Sequence, residues 1–414
     1  MKEENNKHSC FEWIQLFVSI SIPVAIGVYT VLQNNRDFAI ANHNRKQDLD
    51  IADDQQQDLI LHECQKTLSK LIEKYGTELN ESSSAALVAR FAALSALNRL
   101  DSDRRNFLIR LLYEAKLITY QSDDYRSPVL LQSANLTDLN LIGEFERRVL
   151  SHLSLEDTIM TRADFHEINI CGARFNGAIL INADFSSTQN TPPMDDEISI
   201  LKYSSSQLFF NKANLTFASF FSATYDNVDF THVIMNNADL NRFFCSNCLF
   251  DSTSMIKVNL KNADIKYSSF MFAKLDYANL YRSNFGLDVD FYRTDVNHVN
   301  GAYTNFIQCA LNKTKLMNST FDHAVFINST FSNAYIHKIS MKYSKIINGN
   351  FTGADLSDSN WQYAHCQRCI FNEANFTNAD LFGATFIECD FQSSTIVKKQ
   401  LTQTASLKWS ILPM

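Results

Sequence analysis

A five-residue period governs most of this chain. Stepping by five from Phe165 gives Phe165, Ile170, Phe175, Leu180 and Phe185. The same step is apolar throughout from Phe210 to Phe285, and from Phe291 to Ile396 it fails only at Gly301. The residue two before each centre is Ala, Ser, Cys, Thr, Val or Gly, with four exceptions: Ile168, Leu208, Phe243 and Ile339. Between slot and centre, Asp or Asn recurs, as in Ala163-Asp164-Phe165, Ala213-Asn214-Leu215, Ala238-Asp239-Leu240 and Ala379-Asp380-Leu381. In a chain that is 45% hydrophobic this regularity is not chance. It also explains an excess of phenylalanine, since nineteen of the 32 occupy centres.

This A-(D/N)-(L/F)-x-x pattern resembles the pentapeptide-repeat family over about residues 129–396. The resemblance implies a mainly β fold, a right-handed quadrilateral β-helix. In it each unit makes one side of a square, four units make a coil of 20 residues, and the centre and small residue point inward. Given that coil, centres 20 apart must stack at about 4.8 Å. One side then reads Phe210, Phe230, Phe250 and Phe270, and a one-residue insertion near Gly286 leads to Phe291. It continues through Leu311, Phe331, Phe351, Phe371 and Phe391. No single unit can bury such a column alone, so stacking makes the core. Residues 186–207 break the pattern yet keep its phase, which predicts an irregular coil or a protruding loop. Residues 397–414, with Trp409, Ile411 and Leu412, are expected to cover the lower end of the rod.

The N-terminal third is different. Residues 1–12 are polar. From Trp13 to Leu32 runs a charge-free stretch of 20 residues, which as a helix at 1.5 Å per residue matches a hydrocarbon layer of about 30 Å. A signal peptide would have a shorter apolar core and a small-residue cleavage site, and a buried globular helix would need partners on every side. A single-pass transmembrane helix over residues 13–32, seated in a lipid bilayer, is therefore expected. Lys2 and Lys7 precede it and Arg36, Arg45 and Lys46 follow, a one-charge excess towards a cytoplasmic C-terminal region.

Residues 33–128 read as a helical stalk and hairpin. Leu61, Cys64, Leu68, Leu71 and Tyr75 recur at helical spacing up to Gly76. A homodimer through this neck stays open, although Asp54 and Gln57 fall on its seam. Ser82-Ser83-Ser84 offers caps for a helix whose apolar stripe is Leu87, Phe91, Leu94 and Leu97. Asp101-Ser102-Asp103 caps another, carrying Phe107, Leu108, Leu111, Leu112, Ala115 and Ile118. The two are expected to pack on each other through these faces.

Candidate chemistry is sparse. The nine cysteines are an odd number in a long chain, which favours reduced thiols over a disulfide framework. Cys245/Cys248 and Cys366/Cys369 have zinc-like spacing, but in a coiled rod the pairs lie six coils apart, roughly 29 Å. Each of these cysteines also takes an inward position, where it is a compact apolar residue. A disulfide between the stacked Cys369 and Cys389 is a minor alternative. His232, His298, His323, His337 and His365 fall on outward positions of different units, and no nucleophile, metal or phosphate-loop motif occurs. Neither catalytic residues nor a cofactor or metal are expected. Eight N-x-[ST] sequons (Asn80, Asn135, Asn214, Asn312, Asn318, Asn328, Asn350, Asn375) arise largely as by-products of the repeat.

One outward strip stands out. Ile307, Ile327, Ile347, Gln367 and Ile387 follow their centres on one side, with Tyr303, His323, Tyr343 and Tyr363 around the adjacent corner. Stacked apolar residues make a patch of the kind that marks partner surfaces, although β-branched and aromatic residues also simply suit strands. The expected function is a non-enzymatic, membrane-tethered scaffold presenting a rigid rod to a protein partner. The alternative, a DNA-mimicking regulator of a topoisomerase, comes from the resemblance to quinolone-resistance pentapeptide proteins. It fits a region of only −5 net charge, interspersed with Lys257, Lys261, Lys266 and Lys274, less well. No nucleic-acid binding is expected of a chain with net charge −8.

Overall fold

The computed structural model describes residues 10–76, 79, 83–119, 127–141, 149–191 and 207–413. It divides into a unit spanning Met1–Glu63 and a second spanning Cys64–Met414.

The first unit is helix. α1 runs without interruption through Cys10–Tyr75, Pro23 included, and stops where Gly76 adopts a left-handed φ of 48°. Glycine takes this conformation without a Cβ penalty, which suits it to helix ends. The apolar stretch is thus the start of one long helix and not a separate element. Its side chains from Phe17 to Leu32 are exposed apart from a half-buried Ser21, and it is long and apolar enough to cross a membrane.

The second unit is built on the β-helix. Nine three-residue strands, from Thr224–Asp226 to Thr385–Ile387, form a parallel sheet along one side. Register advances by 20 residues per coil, as in Phe244↔Asp264 and Val325↔Lys345. The one-residue insertion appears as the step Phe285↔Phe306, with Leu287 and Asp288 both left-handed. Parallel bridges such as Asn214↔Ile234, Ser219↔Asp239 and Asp229↔Leu249 build the other three sides. The result is a right-handed quadrilateral β-helix.

The square cross-section follows from a repeated backbone pattern. The second residue after each centre is left-handed, as at Lys212, Phe217, Asn227 and His232, with φ of 56–61°. A non-glycine residue there costs about 1–2 kcal/mol, least for Asn, which takes this place at Asn237, Asn247, Asn262 and Asn348. Most such corner amides are paired with the next coil, for instance His232 N to Asp251 O at 3.0 Å, which satisfies donors that a turn would otherwise leave open.

Inside, the phenylalanine column is continuous from Phe210 to Phe291 and resumes below Leu311 at Phe331. Phe210–Phe230, Phe230–Phe250, Phe250–Phe270 and Phe270–Phe291 stack at 5.1, 4.9, 4.6 and 5.0 Å. Burying each ring contributes about 2–3 kcal/mol by transfer alone. Gly301, the exception to the period, makes room for a neighbour: a Cβ there would lie 2.2 Å from the buried ring of Phe321. Several Ser and Thr in the small slot are satisfied rather than merely tolerated, although the Ser344 and Ser394 hydroxyls are buried without a partner. Thr253, Thr294 and Thr314 donate their hydroxyls to Phe230, Phe270 and Phe291 carbonyls of the preceding coil at 2.7, 2.6 and 2.8 Å.

Three expectations change. Across the break in the repeat, Arg174 pairs with Phe209 and Asp184 with Ser219, and Phe175 stacks on Phe210 at 5.1 Å. One coil therefore takes 35 residues here, so the extra chain adds length to a coil and no further coil. Residues 192–206 of that segment lie outside the described residues. At the far end, Ile396 and Gln400 are the buried residues, and Gln400 Nε2 donates to Phe376 O and Ala379 O at 2.6 and 2.9 Å. Trp409, Ile411 and Leu412 are exposed, Trp409 by 69%, because residues 405–411 extend the ladder (Asp390↔Ile411) and do not fold across it.

The third change concerns the helices. α2 (Ser84–Leu97) is capped by Ser83 and α3 (Ser102–Glu114) by Asp101, whose side chains accept Ala86 N and Arg104 N. α2 buries Ala85, Ala86, Ala89, Ala93 and Ala96, while Leu87 and Phe91, expected in the core, are 60% and 77% exposed. Leu97, of the expected stripe, is buried with them. α3 buries Leu108, Ile109 and Leu112 and ties to the first coils, Tyr113 Oη donating to Ser151 O at 3.1 Å. Its Asn106 Oδ1 accepts Asn140 N at 3.1 Å, so this helix closes the N-terminal end of the rod.

Candidate functional site

The strip of interest lies on the strand-bearing side and the corner before it. Each outward isoleucine follows a buried centre, and the parallel register pairs Ile307 with Ile327, Ile327 with Ile347, and Gln367 with both Ile347 and Ile387. These isoleucines are half-buried, since each is flanked by the coils above and below. At the corner, Tyr303, His323, Tyr343 and Tyr363 occupy successive left-handed positions. Their rings lie flat on one another at 4.7, 5.0 and 5.2 Å, with interplanar angles of 3°, 9° and 6°. The tyrosines are nonetheless about half exposed, Tyr343 by 52%.

Sequence reasoning missed how this column continues. Below it, Phe382 meets Tyr363 edge-on at 5.7 Å, and Gly383 leaves space for the Tyr363 ring, which a Cβ would approach to 2.6 Å. Above it, Tyr281 meets Tyr303 edge-on at 5.7 Å, and the Arg282 guanidinium sits 5.2 Å from Tyr281 and 5.9 Å from Tyr303. Stepping by 20 or 21 along the corner reaches these residues, but the chemistry changes from ring to cation, so an apolar search passes over them.

The cysteines behave differently from expectation in one place. Cys245 and Cys248 are joined in a disulfide with Cα atoms 6.2 Å apart. A centre and the slot three residues later both point inward, which brings two cysteines within bonding reach. Cys366 and Cys369 share that spacing and are free, as are Cys309 and Cys389. In the slot a thiol acts as a weak donor: Cys309 and Cys389 Sγ reach the Phe285 and Cys366 carbonyls at 3.2 and 3.5 Å. Burial pushes the Cys309 thiol up to about 12, which makes it unreactive at neutral pH. Among the described residues no cluster of three or more His, Cys, Asp or Glu could hold a metal.

Several sequon asparagines have structural work. Asn214, Asn350 and Asn375 accept the backbone amides of Thr216, Thr352 and Thr377 at 3.1, 3.0 and 3.1 Å, closing the turn around each centre. Asn80 lies outside the described residues.

The family model for pentapeptide repeats matches eight copies, in residues 149–189 and 350–386. No curated protein matches the chain. Among solved structures it is similar to HetL, a pentapeptide repeat protein involved in heterocyst differentiation regulation from the cyanobacterium Nostoc. That match has 19% identity and a TM-score of 0.25 over 58% of this chain and 91% of HetL. It is also similar to full-length QnrB1, a plasmid-mediated fluoroquinolone resistance protein, at 14% identity and a TM-score of 0.26, covering 50% of this chain and 91% of QnrB1. Rfr23 from the cyanobacterium Cyanothece matches at 17% identity and a TM-score of 0.16, over 45% of this chain and 93% of its own. With its five-residue period, its twenty-residue coil and the matched copies, the chain carries pentapeptide repeats.

Proposed function

We propose that this protein is a non-enzymatic, membrane-tethered scaffold. The apolar start of α1 sits in a bilayer, and the β-helix offers the strip of Tyr303, Ile307, Ile327, Tyr343, Ile347, Tyr363 and Ile387 to a protein partner. The observation that carries this reading is the side-by-side pairing of an in-register isoleucine row with a stacked aromatic column. Interlocked side chains of this kind are already ordered, so a partner meets apolar surface that loses little further entropy on binding. A DNA mimic would instead present carboxylates along the rod. The strip is apolar, and the column above it carries Arg282.

Two measurements test this reading. The full-length protein should resist alkaline carbonate extraction from membranes, and removal of residues 1–32 should release it. A photo-crosslinking amino acid at Ile327 should yield a discrete protein adduct in cells. The same probe at Asn237, on another corner, should not. Equal labelling from both positions would remove the strip as the docking surface.

A further inference from the structure

We propose that the strip recognises an acidic protein segment with an apolar centre; this rests on the reading of the strip as a partner surface and specifies what it captures. The charge around it is not distributed as in the rest of the chain. The corner column and its two neighbours carry Arg242, Lys261, Arg282, Lys342 and Lys345. Glu167 stands on the corner column in the first coils, far from the strip; the carboxylates of these three columns nearer to it are Asp264 and Asp322. Both are engaged: Asp264 Oδ2 lies 3.1 Å from Lys266 Nζ, and Asp322 Oδ1 accepts Lys342 N at 3.0 Å and Ser340 Oγ at 2.5 Å. The isoleucine column itself carries Asp226, Lys266 and Lys408, and on the next corner the balance reverses, with Asp229, Asp288, Asp290, Glu388 and Asp390 against Arg174 and Arg368. In a protein of net charge −8, the basic surplus therefore sits beside the apolar strip.

Three of the five cations are held by rings rather than by acids. Arg242 lies 5.9 Å from the Phe221 ring, Lys261 5.8 Å from Tyr281, and Arg282 over Tyr281 and Tyr303. None of the five cations pairs with a carboxylate among the described residues. A cation resting on a ring keeps its charge and its donors, ready for an incoming carboxylate.

Geometry selects the class of partner. Flat stacking within the Tyr303–His323–Tyr343–Tyr363 column uses up the ring faces, so neither a nucleobase nor a sugar finds a platform. Ring edges, tyrosine hydroxyls and isoleucine side chains remain, which suit a polypeptide. Arg282 lies one coil above Tyr303, and Lys342 and Lys345 flank Tyr343, three coils below Arg282. At about 4.8 Å per coil that is roughly 14 Å, the length of about four extended residues. Acidic residues at both ends of a short apolar core would match it.

The probe is a fluorescent random copolymer of Glu and Tyr (4:1), titrated by anisotropy against the full-length protein in detergent micelles. The wild type should bind it, and at least tenfold more tightly than poly-Glu of the same length or a 20-nucleotide oligo-dT. The triple variant Arg282→Glu/Lys342→Glu/Lys345→Glu should lose at least tenfold. Lys212→Glu/Lys274→Glu/Lys313→Glu, on the opposite corner, should change affinity less than twofold. Circular dichroism and melting checked on each variant separate loss of binding from loss of fold, and an unfolded triple variant is replaced by the three single ones. Equal losses in the two triple variants, equal binding of poly-Glu or oligo-dT, or self-association of the wild type at the titrated concentrations would each overturn the proposal. If Ile327 still crosslinks to its partner in the charge-reversed protein, the docking surface stands and its acidic specificity falls.

Discussion

The coils and the α2 helix solve burial in opposite ways. In the β-helix the largest side chains go inside: Phe165, Phe210, Phe250 and Trp361 are fully buried, and alanines line the slots between them. In α2 the smallest go inside, five alanines in all, while Leu87, Val88 and Phe91 face out. The difference teaches that hydrophobicity sets a tendency to be buried, but the shape of the opposing surface decides which residue is. The inside of the square coil is filled by Phe, whereas the buried face of α2 is filled by Ala, with Leu97 at its end the one large residue.

That contrast can be broken by mutation, beginning with the largest expected effect. Phe250→Ala removes a ring stacked on both sides and should cost about 3–5 kcal/mol. Denaturant unfolding of the variant measures it; a loss below ~1 kcal/mol would mean the column is not the core. Ala93→Leu inserts a larger side chain into the fully buried face of α2 and should cost about 1–3 kcal/mol by overpacking. A stabilised variant would show that the alanine face has room to spare. Phe91→Ser, on the exposed face of the same helix, should shift stability by no more than ~0.5 kcal/mol. A melting temperature lowered as much as by Ala93→Leu would return Phe91 to the core and cancel the comparison.

Much of this protein is legible residue by residue. The centres, the small slots, the phenylalanine column and the slip near Gly286 follow from counting, because a repeating backbone forces each side chain to the same depth in every coil. The excursion after Asn190 is visible as a break, but not its cost of 35 residues per coil, since any length that restores register is compatible with the pattern. The role of Gly301 needed the position of Phe321, a contact between residues one coil apart that no local pattern encodes. The isoleucine row and aromatic corner are likewise readable as columns. Ring stacking, the cations drawn onto Tyr281 and Tyr303, and the Cys245–Cys248 bond are not.

The amino-acid order by itself determined the architecture: a period of five that builds a square coil, and an apolar start to a long helix. Only the tertiary structure decided which face of α2 is buried, which thiols are joined, and where exposed charge gathers. Periodicity specifies direction relative to the chain's own axis, whereas those three outcomes depend on distances to atoms the sequence places far away.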